Sequence, residues 1–469
     1  MKIDTLTLSL ENDSAIYKQL FEYIKNSINL GHFSPGDILP SSRNLAADMS
    51  ISRTSVLNAY NALLAEGLIV GQQGAGYRIS GYNQETSSAD SKGAGGVNDD
   101  KQRYLPFNPV PIDTSFFPAH KWAKIIAKIA RTMPLSLVNT NDYDWQGNRE
   151  LREVLCQYLY EKKGISCTSA QIMITSGSME SLEICINAIT APGQMVSIED
   201  PYYPGLRNYL LNNNRLVDYM QVDEQGACCD EIANNSRVAI ITSGNQFPLG
   251  IAMSKERKKA FSAWAVNSNT WVIEDDYDSD FNPKQEPTLA ALDKNRRTLY
   301  LGNFSKLITS DLRIGFVVIP ELLLPHIQQM EYALKTSYLP QLVLKEFVRT
   351  GDFYRNLLKA KKIYAGKRDF FITLLQRELT ASGQVFLNPV GSLVVFELSP
   401  ELVDVEIVEL AKVQGLSLRA LSPLCHYSRR NGLVMGYIYF NREVLRKAVR
   451  QLKNVITLYR ERQKSKISL

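Results

Sequence analysis

Apolar residues recur along this chain with a period that changes, and each change marks a new element. Between residues 14 and 31, Ile16, Leu20, Ile24 and Ile28 return every four places, the stripe of an amphipathic helix closed by Gly31. PSSRNLAADM at 40–49 predicts a second helix, begun by Pro40 and Ser41, with Leu45 and Met49 on one face. SRTSVLNAYNALLAEGL at 52–68 predicts a third, with Ser52 as N-cap and Val56, Tyr60 and Leu63 or Leu64 as its buried stripe. LIVGQQGAGYRIS at 68–80 then alternates like two short strands around a glycine-rich turn. Helix, helix, turn, helix and hairpin in this order predict a winged helix-turn-helix over residues 1–80, mostly α with a small β wing.

The pattern then stops. GYNQETSSADSKGAGGVNDDKQR, from residue 81, has almost no apolar content and predicts a flexible linker over 81–104. As a coil it spans roughly 25 Å on average. From Leu105 helical patterns alternate with short apolar runs, Met195–Ile198, Val238–Thr242, Trp271–Ile273, Leu299–Leu301 and Ile314–Ile319. That alternation predicts a large α/β domain with a mostly parallel sheet over 105–469. A long helical stretch at about 322–380 precedes a smaller α+β portion with strands near Leu393–Glu397 and Leu433–Tyr439.

Composition adds limits. With 469 residues, 45% apolar and 22% charged, the chain can bury large cores in two or three domains. No apolar run approaches 18 residues and the N-terminus lacks a signal-peptide pattern, so a cytoplasmic protein without membrane contact is expected. Six dispersed cysteines and four scattered histidines show no metal-ligand spacing. The net charge of +5 is uneven: residues 1–80 hold six Lys/Arg against seven Asp/Glu, a net −1. DNA binding therefore rests on where the cations stand, and weak attraction per module implies reliance on dimerisation. Arg53, Thr54 and Asn58 lie opposite the third helix's apolar stripe, facing a major groove, while Arg43 can reach a phosphate and the Gly74–Gly76 wing tip is narrow enough for a neighbouring groove.

Chemistry concentrates in LGNFSKLITSDLRIGF at 301–316. Lys306 sits in a polar turn between two apolar strands, where desolvation lowers an amine's pKa and prepares it to attack an aldehyde. Arg313 offers a planar cation to a phosphate or carboxylate. WVIEDDYDSDF at 271–281 ends an apolar run in carboxylates and a tyrosine, as at the C-terminal end of a buried strand. A carboxylate there can pair with a protonated pyridine nitrogen, and the phenol can bond a phenolate oxygen. TSGSMESLEI at 175–184 is a strand end, a small turn and a helix start, whose free N–H groups suit a phosphate.

In this order these are the parts of a pyridoxal phosphate site, and the chain from about residue 105 resembles a fold type I aminotransferase domain. LPSSRNLAADMSISRTSVLNAYNALLAEGLI resembles the GntR pattern, and the combination resembles the MocR-like regulators of the GntR superfamily. The resemblance implies Lys306 as a Schiff-base lysine, Gly177, Ser178, Met179, Ser305 and Arg313 at the phosphate, and Tyr203 stacked on the ring. It implies Asp275 on the ring nitrogen and Tyr277 on the phenolate; the run itself leaves a one-residue slip open, with Asp276 and Asp278 expected as its solvated carboxylates. Asn245 or Gln246 stands in for an asparagine that Phe247 displaces. It also implies a head-to-tail homodimer, a double-stranded DNA operator, and an effector that is an amine, an amino acid or pyridoxal phosphate itself. The arginine that clamps the substrate's α-carboxylate in aminotransferases is replaced by Gly436, with Cys425, Arg429 and Arg430 near an alternative place. Its loss predicts sensing in place of sustained turnover; a working aminotransferase with a DNA-binding appendage is the alternative.

Overall fold

The computed structural model describes residues 15–29, 33, 36–65, 68–72, 76–79, 104–132, 144–282, 286–309, 312–330, 336–386 and 391–467. Gly74 and the linker residues 81–103 lie outside them. The chain divides into two compact units, Met1–Asp99 and Asp100–Leu469.

In the first unit α1 (Ile16–Asn29), α2 (Ser42–Asp48) and α3 (Arg53–Ala65) enclose a core of Leu20, Ile24, Leu45, Val56, Ala59, Tyr60 and Leu63. The expected stripe of α1 buries only its centre, because Ile16 is exposed and Ile28 half-buried. Ser41 caps α2 by accepting from Asn44 N at 3.2 Å, and Ser52 Oγ accepts from Ser55 N at 3.0 Å. Tyr60 OH donates to Pro40 O at 2.8 Å, which ties α3 to the turn before α2. Strands β2 (Ile69–Gln72) and β3 (Gly76–Ile79) form the expected antiparallel hairpin. A two-residue strand, β1 (Ile38–Leu39), pairs with β3 and completes a three-stranded sheet that so short a segment does not announce.

In the second unit an eight-stranded sheet has the order β4-β11-β10-β9-β8-β5-β6-β7. These strands are β4 (Ile172–Thr175), β5 (Met195–Asp200), β6 (Leu216–Asp223), β7 (Gly226–Ala227), β8 (Ser236–Ile241), β9 (Trp271–Asp276), β10 (Thr298–Asn303) and β11 (Gly315–Val318). The run from β10 through β9, β8, β5 and β6 is parallel. β11 runs antiparallel to both β10 and β4, which brings its first residues beside the last residues of its neighbours. β10 is buried at every residue, hence its unbroken apolar reading. β6 is half-polar, mixed in burial and carried no clear signal.

Among the described residues the long helical stretch holds the α-helices Leu324–Gln329, Tyr338–Arg349 and Asp352–Leu379, the last two separated at Gly351, whose φ of +72° favours glycine. The C-terminal portion is an antiparallel sheet ordered β12-β13-β15-β14, made of β12 (Gly383–Val385), β13 (Leu393–Leu398), β14 (Arg419–Ala420) and β15 (Gly432–Gly436). Among the described residues no helix is long and apolar enough to cross a membrane.

The segment after the linker is fastened to β15 and its neighbourhood. Gly436 N donates to Phe107 O at 2.9 Å and Ser417 N to Pro106 O at 2.8 Å. A methyl group on Gly436 would stand 2.2 Å from Asn108 O and 2.6 Å from Pro109 Cα. Backbone meets backbone here, so a side chain has no room. Gly436→Ala is expected to cost about 1–3 kcal/mol, read as a lower urea midpoint at unchanged slope; an unaltered midpoint would mean that this contact yields freely.

Candidate cofactor and DNA sites

The carboxyl ends of the parallel strands converge with the start of β11 on one place, the region where open α/β sheets collect their ligands. β4 ends at Thr175, and Gly177, with φ +120°, starts the helix Ser178–Ile189. A methyl group on Gly177 would lie 3.9 Å from the Arg313 guanidinium. Arg313 itself has φ +50°, a conformation that non-glycine residues rarely adopt. Gly315 lets this junction close, since a methyl there would stand 2.9 Å from Thr175 Oγ1. Free helix-start N–H groups at Ser178 and Met179 and a guanidinium beside them make an anion cradle. Asn303 Nδ2 donates to Ser178 Oγ at 2.8 Å, and Ser305 N donates to Asn303 Oδ1 at 3.1 Å. Asn303 thus links the cradle to the Lys306 turn.

The four carboxylates closing β9 and the turn after it have separate fates. Glu274 accepts from Leu289 N at 2.7 Å, Ala290 N at 2.8 Å and Ser243 Oγ. Asp276 is paired with Lys163 at 2.9 Å and accepts from Tyr300 OH at 2.7 Å and Ser279 Oγ at 2.6 Å. Asp278 accepts from Asn245 Nδ2 and from Ser392 N and Oγ, both at 3.1 Å. Asp276 and Asp278 are therefore not the solvated carboxylates expected from sequence: both are buried and internally satisfied. Asp275 Oδ1 is buried with no hydrogen-bond partner among the described residues. Burial first, then the charges of Asp276, Glu199 and Asp278, push the Asp275 pKa up to about 7.

Around Asp275 lies a small pocket lined by Glu199, Tyr203, Thr242 and Phe247. Glu199 accepts from Thr242 N at 3.0 Å, and burial raises its pKa to about 7. Tyr203 is 43% exposed at the rim and meets Phe247 edge to face at 5.6 Å. Of the two amides in the following turn, Gln246 is spent on Pro201 O at 3.0 Å and Leu249 N at 3.2 Å. Asn245 instead donates to Tyr277 OH at 3.3 Å, and its own Oδ1 is buried without a partner among the described residues. Lys306 Nζ donates to Val110 O at 3.0 Å and Pro109 O at 3.3 Å. Burial lowers its pKa, Asp278 opposes that shift, and Arg419 adds to it.

These features suit pyridoxal phosphate: an anion cradle, an amine of lowered pKa, and an unpartnered carboxyl oxygen for a protonated ring nitrogen. Sequence reasoning missed Lys163, Tyr300 and Ser392, which hold Asp276 and Asp278 in place. Lys163, in the EKKG stretch, carries no local signal, for its partners are more than a hundred positions away. In the first unit Arg43, Ser52, Arg53, Thr54 and Asn58 are all exposed, as is Gly76 at the start of β3. Arg53 Nε lies 3.4 Å from Ser42 Oγ, which steadies the start of α3.

The family described as aminotransferase class I and II matches residues 117–422, well over half of the chain, and the one described as bacterial regulatory proteins, gntR family, matches residues 16–79. The chain belongs to the aminotransferase class I and II family and carries a gntR-family domain ahead of it. That pairing makes it a member of the MocR-like subfamily. The HTH-type transcriptional regulator YdeL of Bacillus subtilis is 28% identical over 94% of this chain and 96% of its own length. The probable rhizopine catabolism regulatory protein MocR of Rhizobium meliloti is 27% identical over 96% and 95%, and the pyridoxine biosynthesis regulator PdxR of Corynebacterium glutamicum 26% over 97% and 98%. Among solved structures, an archaeal alanine:glyoxylate aminotransferase matches with TM-score 0.70 and 21% identity over 76% of this chain and 91% of that one.

The raised pKa of Asp275 has a consequence for stability. Between the ordinary 3.8 and about 7 the folded chain holds a proton that the unfolded chain has lost, so stability falls as pH rises through that window. In cofactor-free protein, Asp275→Asn is expected to match wild type near pH 4 and to exceed it by about 2–4 kcal/mol at pH 8. Urea unfolding at both pH values checks this; an equal difference at both would contradict it.

Proposed function

We propose that the protein is a pyridoxal-phosphate-dependent, DNA-binding transcriptional regulator of the cytoplasm, in which Lys306 serves as a Schiff-base lysine and reports an amine, an amino acid or the cofactor itself. The observation that carries this reading is the unpartnered Asp275 oxygen, on the strand next to the one that leads into the Lys306 turn. When bound, the cofactor supplies an electrophilic aldehyde on an electron-withdrawing ring. Gly177, Ser178, Met179, Ser305 and Arg313 hold its phosphate, Asp275 holds the proton on its ring nitrogen, and Asn245 and Tyr277 bond its phenolate. Tyr203, at the pocket rim, would stack on the ring. The solved kynurenine aminotransferase of Pyrococcus horikoshii, 21% identical with TM-score 0.68 over 76% of this chain and 91% of its own, was crystallised with PMP, which supports the choice of cofactor.

The gntR-type unit, with Arg53, Thr54 and Asn58 on the exposed face of α3, reads double-stranded operator DNA, and Arg43 and the wing add phosphate and groove contacts. Residues 81–104 act as the linker, and two chains assemble head to tail, which offsets the weak charge of a single module. Effector contacts at Lys306 bias the position of the DNA-binding units.

Two substitutions should dissociate the functions. Lys306→Ala is expected to abolish the borohydride-reducible adduct while leaving the first unit folded and able to bind DNA. Arg53→Ala is expected to keep the adduct and weaken specific binding by roughly 1–3 kcal/mol. An adduct that survives Lys306→Ala, or operator binding indifferent to Arg53, overturns the corresponding half.

The second reading is a working aminotransferase. It conflicts with the junction at Gly436, where Asn108 O and Pro109 occupy the place of an α-carboxylate clamp. Over many turnovers with a panel of α-amino acids and a keto-acid acceptor, no more than slow half-reactions are expected. Sustained product formation with any common α-amino acid would establish the enzyme.

A further inference from the structure

An effector that bears an acid group needs a cation near Lys306, and most arginines of the region are already committed. Arg313 faces the Gly177 cradle. Arg207 Nε donates to Tyr219 OH at 2.8 Å and its guanidinium lies over the Tyr202 ring. Arg430 donates to Val222 O at 3.1 Å, stands 3.5 Å from Glu397 and covers the Phe386 ring. Arg429 lines an open groove with Gly383, Ser399 and Asp404.

Arg419 is different. It lies on β14, directly opposite Val434 of β15. Residues opposite each other in an antiparallel pair point to the same face, and along a strand every second residue shares that face. Arg419 therefore leaves the sheet on the side of Val434 and Gly436. Val434 belongs there to the apolar cluster that includes Leu249, Ile251 and Phe261, on the side of the larger sheet, while Leu433 and Met435 belong to the opposite core. Gly436 meets the Asn108–Pro109 backbone on that side, and the carbonyls of Pro109 and Val110 receive Lys306 Nζ. Arg419 is exposed, and its side chain makes no hydrogen bond or ion pair with any described residue. Its positive charge also reaches Lys306, lowering that amine's pKa against the pull of Asp278.

We infer that Arg419 is the residue that receives an effector's acid group in this chain, one strand over from the place that Gly436 leaves closed. This inference rests on the functional reading above. Its chemistry is that of a solvent-accessible guanidinium: a carboxylate, sulfonate or similar planar or pyramidal anion on an amine. A clamp on β14 sets the acid group away from the α position, so it discriminates among acids by their distance from the amine.

The test uses full-length protein loaded with pyridoxal phosphate. Unbranched amino acids from glycine to aminohexanoate are each titrated beside the alkylamine of the same length, following the cofactor's absorption band. At least one acid-bearing probe should half-saturate the wild type at a lower concentration than its amine. Arg419→Gln should raise that concentration about tenfold or more while moving the amine series far less, and Arg419→Lys should restore part of it. Equal weakening of acids and amines, no dependence on Arg419, or no preference for any acid would overturn the inference with the cofactor band intact. Absence of the band from wild type would instead overturn the reading of the cofactor site, and this inference with it.

Discussion

Four carboxylates within five residues at the end of β9 are the constraint around which the larger unit is arranged. Each taken from water without a partner would be costly, so the chain must bring partners from far away. Lys163 and Tyr300 come to Asp276, Asn245 and Ser392 to Asp278, and Ser243 with the Leu289 and Ala290 amides to Glu274. The helix, turn and strand ends that supply these groups are thereby fixed relative to β9. Asp275 is the exception, with an oxygen buried and unpaired. That exception is what separates a ligand site from an ordinary polar core.

The same principle joins the site's two halves. The Lys306 turn is held to the start of the helix Ser178–Ile189 through Asn303, and to the backbone at Pro109 and Val110. The lysine thus meets backbone only a few residues after Tyr104. The first unit makes fewer demands: a small apolar core, two serine caps and a hairpin are enough to present Arg53, Thr54 and Asn58 to solvent. With six Lys/Arg against seven Asp/Glu over residues 1–80, it offers little non-specific attraction to DNA.

The fold was legible wherever apolar periodicity was strong. Helices α2 and α3, the β2–β3 hairpin and strands β5, β8, β9 and β10 follow from periods of 3.6 and 2 and from continuous buried runs. β1 and β6 were not legible, the one being two residues long and the other half-polar, because both owe their state to the strands they pair with. The break in the long helical stretch at Gly351 was likewise hidden, since a single glycine is tolerated in a helix unless packing uses its left-handed conformation.

At the site, residue types and their order were written in the chain: a lysine between apolar strands, carboxylates ending a strand, glycine and serine before a helix. Those signals are local, and local spacing decides them. Which of three neighbouring aspartates remains unpaired was not, nor whether Asn245 or Gln246 meets Tyr277, nor that Asn108 and Pro109 close the space over Gly436. Each of these depends on groups dozens to hundreds of residues away. Desolvation acts on whatever surrounds a side chain in space, and only the tertiary structure decides which partners arrive there.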